Sequence, residues 1–243
     1  MRPDLALLLR GDHHVHSTFS DDARSTLEQN ATAAAARGLT TVRAVEHVRG
    51  GTTWLPDFVA AAAAHEPLAG LTVRTGVETK VLDTRGTLDL PPGDLGVDAV
   101  LVADHQVPGP DGPWTPEQTR ARVADGMSHR AVLDQLVDGL LAAVGRAATR
   151  APEVQLAHCF SVLPKIGMAE ADLTGEQVDR WAAGLAHHRV LVEVNEKWAC
   201  PGPRLLGAAL SHGARLVAAT DSHTAEDVGR YVRVPAILEQ VDR

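Results

Sequence analysis

The chain has 243 residues, a formal charge of −8, 44% hydrophobic residues and only 3% aromatics. This length suffices for one α/β domain with a full core of Ala, Leu and Val, and the acidic balance argues against long nucleic acid, which needs Lys/Arg stripes. No apolar run is long enough to span a bilayer, Met1–Arg10 lacks a signal-peptide pattern, and Cys159 and Cys200 are spaced like neither a zinc knuckle nor a redox pair, so a cytoplasmic protein with reduced thiols is expected.

In chain order, Leu7–Ser17 reads as a strand. Ser25–Gly38 reads as a helix, with Ser25 and Glu28 in capping-box spacing and Gly38 as the stop. Leu39–His47 reads as a strand and the alanine-rich Leu55–His65 as a helix. Leu71–Leu82, Gly86–Leu90 and Asp98–His105 are strand candidates separated by Gly/Pro turns. The Pro/Gly-rich stretch Pro108–Pro116 reads as a long loop over the site. Arg130–Val144 is an amphipathic helix with Leu133, Leu136, Val137, Leu140, Leu141 and Val144 on one face. The strand Val154–Cys159, a helix near Thr174–His187, the strand Val190–Asn195, a helix near Pro203–His212 and the strand Arg215–Asp221 complete the pattern. Repeated strand–helix–strand units predict a largely parallel sheet, whose ligand site lies at the carboxyl ends of the strands.

Nearly every strand ends in His, Asp or Glu. In Asp12-His13-His14-Val15-His16, residues two apart share a face, so His14 and His16 can converge on one ion while His13 points away. Asp221-Ser222-His223 alternates in the same way at the far end of the chain; in a closed barrel the first and last strands are neighbours. His47, Glu78, His105 and His158 end the strands between. Any one of these fits a hydrogen-bonded core residue, but a core does not gather so many imidazoles and carboxylates unless a cation needs them.

The ordered set of motifs resembles the PHP (polymerase and histidinol phosphatase) superfamily. His14-Val15-His16-Ser17-Thr18-Phe19-Ser20-Asp21-Asp22 is similar to its opening motif. Glu46-His47 stands where Asp-His is usual. Gly76-Val77-Glu78 with Gly86-Thr87-Leu88-Asp89-Leu90 resembles the third motif, and Asp104-His105, Ala157-His158 and Glu193-Val194-Asn195 resemble the middle ones. Thr220-Asp221-Ser222-His223, with Asp227-Val228-Gly229, is similar to the closing motif. Glu46 for Asp, and Cys159 for the Pro that commonly follows the histidine, are departures that remove no ligand position.

The resemblance implies that residues 1–243 form one PHP-type metallohydrolase domain, a distorted (β/α)7 barrel with two or three divalent ions (Zn, Mn or Fe) at its mouth. His14, His16, Glu78 and Asp221 would hold one ion. Asp22, His47 and His223 would hold a second, with Asp21 competing for the place of Asp22. His105, His158 and Glu78 would hold a third. His14, His16, Asp221 and His223 would carry catalysis. The expected activity is hydrolysis of a small phosphorylated metabolite, a phosphomonoester as in histidinol phosphatases, by a metal-activated hydroxide. A phosphodiesterase, a hydrolase of a non-phosphate bond and a non-catalytic scaffold are the other readings. Bound ions reverse the local field and so reconcile an anionic substrate with an acidic chain. Arg49, Lys80, Lys165 and Lys197 follow strand-end motifs and are candidates for phosphate contact, Lys165 and Arg49 foremost. Trp54 and Trp114 are candidates for the pocket wall. His13, His65, His129, His187, His188 and His212 fit structural roles.

Overall fold

The computed structural model describes residues 4–241. These begin with a short helix rather than a strand. Asp4 caps Leu5–Leu8 (α1) by accepting from Ala6 N and Leu7 N, so the first strand starts only at Gly11 (β1, Gly11–Val15). Leu5, Leu8 and Leu9 pack onto the main apolar cluster and Leu7 stays exposed. A local aspartate cap has overridden the apolar run read as strand.

The second helix (α2, Leu27–Ala36) also has its capping box one residue later than expected, from Thr26 and Gln29. The Ser25 hydroxyl instead accepts from Ala225 N at 2.8 Å. A strand at Thr41–His47 (β2), a helix at Leu55–Ala63 (α3) and a strand at Thr72–Lys80 (β3) follow. Gly86–Leu90 is not a strand. The Asp83 carboxylate accepts from Arg85 N, Thr87 N and the Thr87 hydroxyl, winding the segment into a turn that leaves only a bridge between Val81 and Leu88. After Ala99–Ala103 (β4), the Pro/Gly-rich stretch forms a hairpin, Val107–Gly109 (β5) and Gly112–Trp114 (β6), not a long loop. The helix Pro116–Ala124 (α4), not anticipated, starts from a Thr115/Gln118 capping box with Pro116 in its first turn. Its polar composition hid it from a periodicity reading. His129–Ala147 (α5), Glu153–Ala157 (β7), Gly175–His187 (α6), Leu191–Asn195 (β8), Pro203–Ser211 (α7), Arg215–Ala219 (β9) and Arg233–Leu238 (α8) complete the order.

The main sheet has 7 strands in the order β1-β2-β3-β4-β7-β8-β9, all pairs parallel. It curls nearly into a barrel, the distorted (β/α)7 form the motifs imply. Residues two apart share a face, so one set of side chains meets the helices. Ala44, Val77, Val100, Val102, Leu156, Val192 and Val194 belong to the large cluster shared with them. The other set points inward, where Val45, Ala99, Leu101, Ala103 and Ala157 form a small apolar plug. Below the plug the interior is polar. Arg43, 2% exposed, pairs with Glu153 and donates to Gln155 Oε1 at 2.6 Å. Gly76 shares the inward face with Glu78. A Cβ there would lie 2.9 Å from Leu101 Cδ1 and 3.2 Å from Arg43 Cδ, so the strand needs glycine before it can present the carboxylate.

Closure between β1 and β9 is sparse. One bridge joins Val15 to Ser222, with His16 N donating to Ser222 O at 2.8 Å. The buried Asp12 side chain supplies the rest. It accepts from Thr220 N at 3.0 Å, the Thr220 hydroxyl at 2.6 Å and Gly229 N at 2.8 Å. Asp12→Ala strands these donors inside the seam and is expected to lower stability by about 3 kcal/mol. The check is a shifted urea midpoint at unchanged slope in the metal-free protein. A loss under about 0.5 kcal/mol would show that Asp12 does not hold the seam.

Candidate metal centre

Glu78 lies near the end of β3 at the barrel mouth, side by side with His47 in the ladder. Its side chain is buried, and imidazoles converge on both oxygens. Oε1 lies 2.9 Å from His158 Nε2 and 3.1 Å from His105 Nε2. Oε2 lies 2.9 Å from His47 Nε2 and 3.6 Å from Nε2 of both His14 and His16. Asp221 Oδ1 is 3.3 Å from His16 Nε2. Asp22 spans two rings, Oδ1 at 3.3 Å from His47 Nδ1 and Oδ2 at 3.2 Å from His223 Nε2. The exposed Asp21 lies in the same cavity, of about 240 Å³.

Ligand atoms lie within 4.8 Å of one another in each of several sets: His14 with His16 and Asp221, Glu78 with His105 and His158, His16 with His47 and His223, and Asp21 with Asp22 and His47. These sets could hold metal ions, and their imidazole and carboxylate mixture suits Zn, Mn or Fe.

The surroundings of the rings support that fit. His14 Nδ1 faces Glu193 Oε2 at 3.0 Å, so Nδ1 carries the hydrogen and, in the neutral ring, Nε2 the lone pair. Ser20 gives its hydroxyl hydrogen to Glu46 Oε2 at 2.6 Å and therefore accepts from His16 Nδ1 at 3.3 Å. Ser161 repeats the device, donating to Asp104 Oδ1 at 3.2 Å and accepting from His158 Nδ1 at 3.1 Å. The lone pairs so fixed meet each other, His14 Nε2 and His16 Nε2 being 3.0 Å apart, and meet the oxygens of Glu78. Lone pair against lone pair is repulsive unless a cation lies between.

Protons fill that role when no ion does. Burial opposes a charge on His158, yet the nearby Asp104 carboxylate and the hydrogen bond to Glu78 raise its pKa to about 10. Burial likewise opposes a charge on His14, but Glu193 and Glu78 outweigh it and hold the ring well above the usual range. Burial would raise Glu78, yet His14 and the hydrogen bonds from His105 and His158 hold it well below a normal glutamate. His16 is pushed down by burial to about 4. Ions entering these sets must displace protons, so their affinity falls as pH falls.

The backbone is bent to aim two of these side chains. His158 has φ 28° and Asp221 φ 52°, a region that β-carbon residues avoid and that costs of order 1–3 kcal/mol each.

All the expected metal residues thus meet at one mouth. The substrate candidates do not all do so. Arg49, Lys80 and Lys197 line the cavity. Lys197 Nζ is 3.2 Å from Asp221 Oδ2, and burial together with the neighbouring Arg49 lowers the Lys80 pKa. Lys165 lies over the Trp198 ring at 4.2 Å, outside the cavity lining. Neither Trp54 nor Trp114 is in the wall. Trp54 packs on Phe19 and Phe58, at 5.7 and 6.5 Å between centroids. Trp114 is 5% exposed, donates to Asp111 and lies under Arg122. The wall tryptophan is Trp198, which sequence reasoning did not single out; its Nε1 donates to Asp221 Oδ2 at 2.8 Å. His13 stays off the cluster, and His212 pairs with Asp179.

Replacing Ser161 or Ser20 by Ala frees His158 or His16 to turn or change tautomer. Divalent-ion affinity is expected to fall about 10- to 100-fold in competition with a chelator, with the far-UV spectrum unchanged. Wild-type affinity in both variants would show that the serines orient nothing.

The PHP domain family profile matches residues 12–197. A probable phosphatase of Acetivibrio thermocellus is 26% identical over 234 residues, covering 95% of this chain and 86% of the relative. A probable phosphatase of Vibrio parahaemolyticus is 24% identical over 245 residues, covering 95% and 84%. The fold matches that of histidinol phosphate phosphatase from Lactococcus lactis, crystallised with zinc, L-histidinol and phosphate, at a TM-score of 0.58 and 14% identity, over 96% of this chain and 93% of that one. With its ordered motifs, its barrel and a profile match across most of its length, this chain belongs to the PHP domain family.

Proposed function

We propose that this PHP-domain protein is a metal-dependent phosphatase that hydrolyses a small-molecule phosphomonoester at the mouth of its barrel. The observation that carries the reading is the convergence on Glu78 of five imidazoles from four separate segments, with Nε2 atoms of His47, His105 and His158 at 2.9 to 3.1 Å. Relatives named probable phosphatases over most of their length, and a neighbour of the same fold that binds zinc, L-histidinol and phosphate, point the same way.

His14, His16, Glu78 and Asp221 would hold one ion, Asp22, His47 and His223 a second, and His105 and His158, with Glu78 shared, a third. Bound there, divalent ions supply a nucleophile at neutral pH by acidifying water, and neutralise phosphate oxygens. The chain's own groups do the rest. Arg49 and Lys80 lie close enough for one to depress the other's pKa, a crowding of positive charge that an entering phosphate relieves. Lys197 and Trp198 both bind Asp221 Oδ2, fixing that carboxylate so that it does not swing into the space the phosphate takes. Glu193 holds the His14 ring from behind; its other oxygen accepts from Asn195 at 2.6 Å and His158 N at 3.2 Å.

The test is a panel of phosphomonoesters, histidinol phosphate among them, and phosphodiesters, assayed after chelation with Zn, Mn or Fe added back. Monoester hydrolysis is expected to return with the ion. His14→Ala and Asp221→Ala should each lose roughly 1,000-fold or more, the scale of several kcal/mol of lost charge stabilisation. Full activity in chelator, or in either variant, would overturn the assignment.

A further inference from the structure

The cavity around Glu78 holds about 240 Å³, less than the roughly 300–1,000 Å³ of typical small-molecule pockets. Metal ions and a phosphate together would take up part of it, so a sizeable leaving group would extend beyond. A second cleft, of about 450 Å³, adjoins it and shares Lys197, Asp221 and His223 with it. Its far side is formed by the segment after the closing motif, including Arg230 and Arg233.

The charges of this cleft are not balanced where a ligand would meet them. Its outer carboxylates are engaged by neighbours, Glu196 through both oxygens and Asp227 through one. Glu196 accepts from the backbone N of Val232, Arg233 and Val234 at 2.8 to 3.0 Å. Asp227 Oδ2 accepts from the Thr224 hydroxyl at 3.0 Å. The guanidiniums are less engaged. Arg233 gives one nitrogen to Lys197 O at 2.9 Å. Arg230 has no side-chain partner among the described residues.

Nor is Arg230 a charge on a loose loop. Gly229 N, just before it, donates to Asp12 Oδ2 at 2.8 Å, and the Tyr231 hydroxyl, just after it, donates to Gly11 O at 2.7 Å. Arg230 N itself donates to Asp227 O at 3.0 Å. The residue is pinned on both sides to β1, the strand that carries His14 and His16. An arginine whose backbone is anchored beside the reacting centre, with its guanidinium free to reach a ligand, is a means of selecting substrates, since its planar donors suit a carboxylate or phosphate and repel an ammonium.

We propose that the cleft beside the metal centre receives a second anionic group of the substrate, a carboxylate or another phosphate on the leaving alcohol, held by Arg230 with Arg233. This rests on the phosphatase reading and narrows it. It places phosphates of acidic alcohols ahead of phosphates of amino alcohols.

The test uses the metal-loaded full chain and alkyl phosphates of graded length ending in carboxylate, phosphate, ammonium or methyl. For at least one length, kcat/KM is expected to be about 10-fold or more higher with an anionic end than with methyl, and lowest with ammonium. In Arg230→Gln the ratio of anionic to methyl substrates should collapse toward one, and Arg230→Lys should keep part of it. Equal rates for anionic and methyl ends in the wild type, or a ratio unchanged in Arg230→Gln, would overturn the inference and leave the phosphatase reading standing. Failure to hydrolyse any phosphate ester while ions bind would overturn both.

Discussion

The arrangement depends on one carboxylate. Glu78 is buried at the end of an inner strand and is surrounded by imidazoles, not by water. Taking a carboxylate out of water is expensive, and its retention requires positive charge at contact distance. Everything around it follows from that requirement. Histidines stand at or just beyond the ends of β1, β2, β4 and β7, Gly76 clears space beneath, and the backbone at His158 and Asp221 is held in a strained region.

Serine and carboxylate pairs behind the rings give the cluster its direction. A neutral imidazole presents a hydrogen on one nitrogen and a lone pair on the other. Glu193, Ser20 with Glu46, and Ser161 with Asp104 each claim the Nδ1 side. The lone pairs are thereby turned into the mouth before any cation arrives, which lowers the reorganisation needed on binding. The departure of Glu46 from the usual Asp makes sense here, because the longer side chain reaches both Ser17 N at 3.1 Å and the Ser20 hydroxyl at 2.6 Å.

Much of this was legible in the sequence because a strand's two-residue period fixes the facing of its side chains. His14 and His16, His47, Glu78, His105 and His158 could be placed at one mouth from strand ends alone. Residues beyond strand ends were less readable. Trp54 and Trp114 follow the right strands, yet a loop position carries no direction, and each found an apolar or cation partner elsewhere. Trp198 was missed because it is aimed by a turn. Asn195 Oδ1 accepts from Trp198 N at 2.8 Å, which brings the ring back to Asp221. An Asn at a strand end followed by Trp three residues on was the available signal, since asparagine side chains favour such turns. Helix starts slipped for a similar reason. Neighbouring hydroxyl residues compete as caps, and Ser25 was needed to hold Ala225 across the molecule.

The weakest part of the barrel and the candidate metal set coincide. Backbone pairing between β1 and β9 is limited to the contact of Val15 and His16 with Ser222, and Asp12 bridges the rest through its side chain. His14 and His16 stand on one side of this seam and Asp221 on the other, with ligand atoms within 4.8 Å of each other. An ion held by these three would therefore bind the two edges of the sheet together, and its binding energy would add to the stability of the closed barrel. The same pinning fixes Gly229 and Tyr231 to β1, so whatever closes the seam also anchors the backbone that carries Arg230. Stability, ion binding and substrate selection meet at one joint because the sheet leaves its closure to side chains.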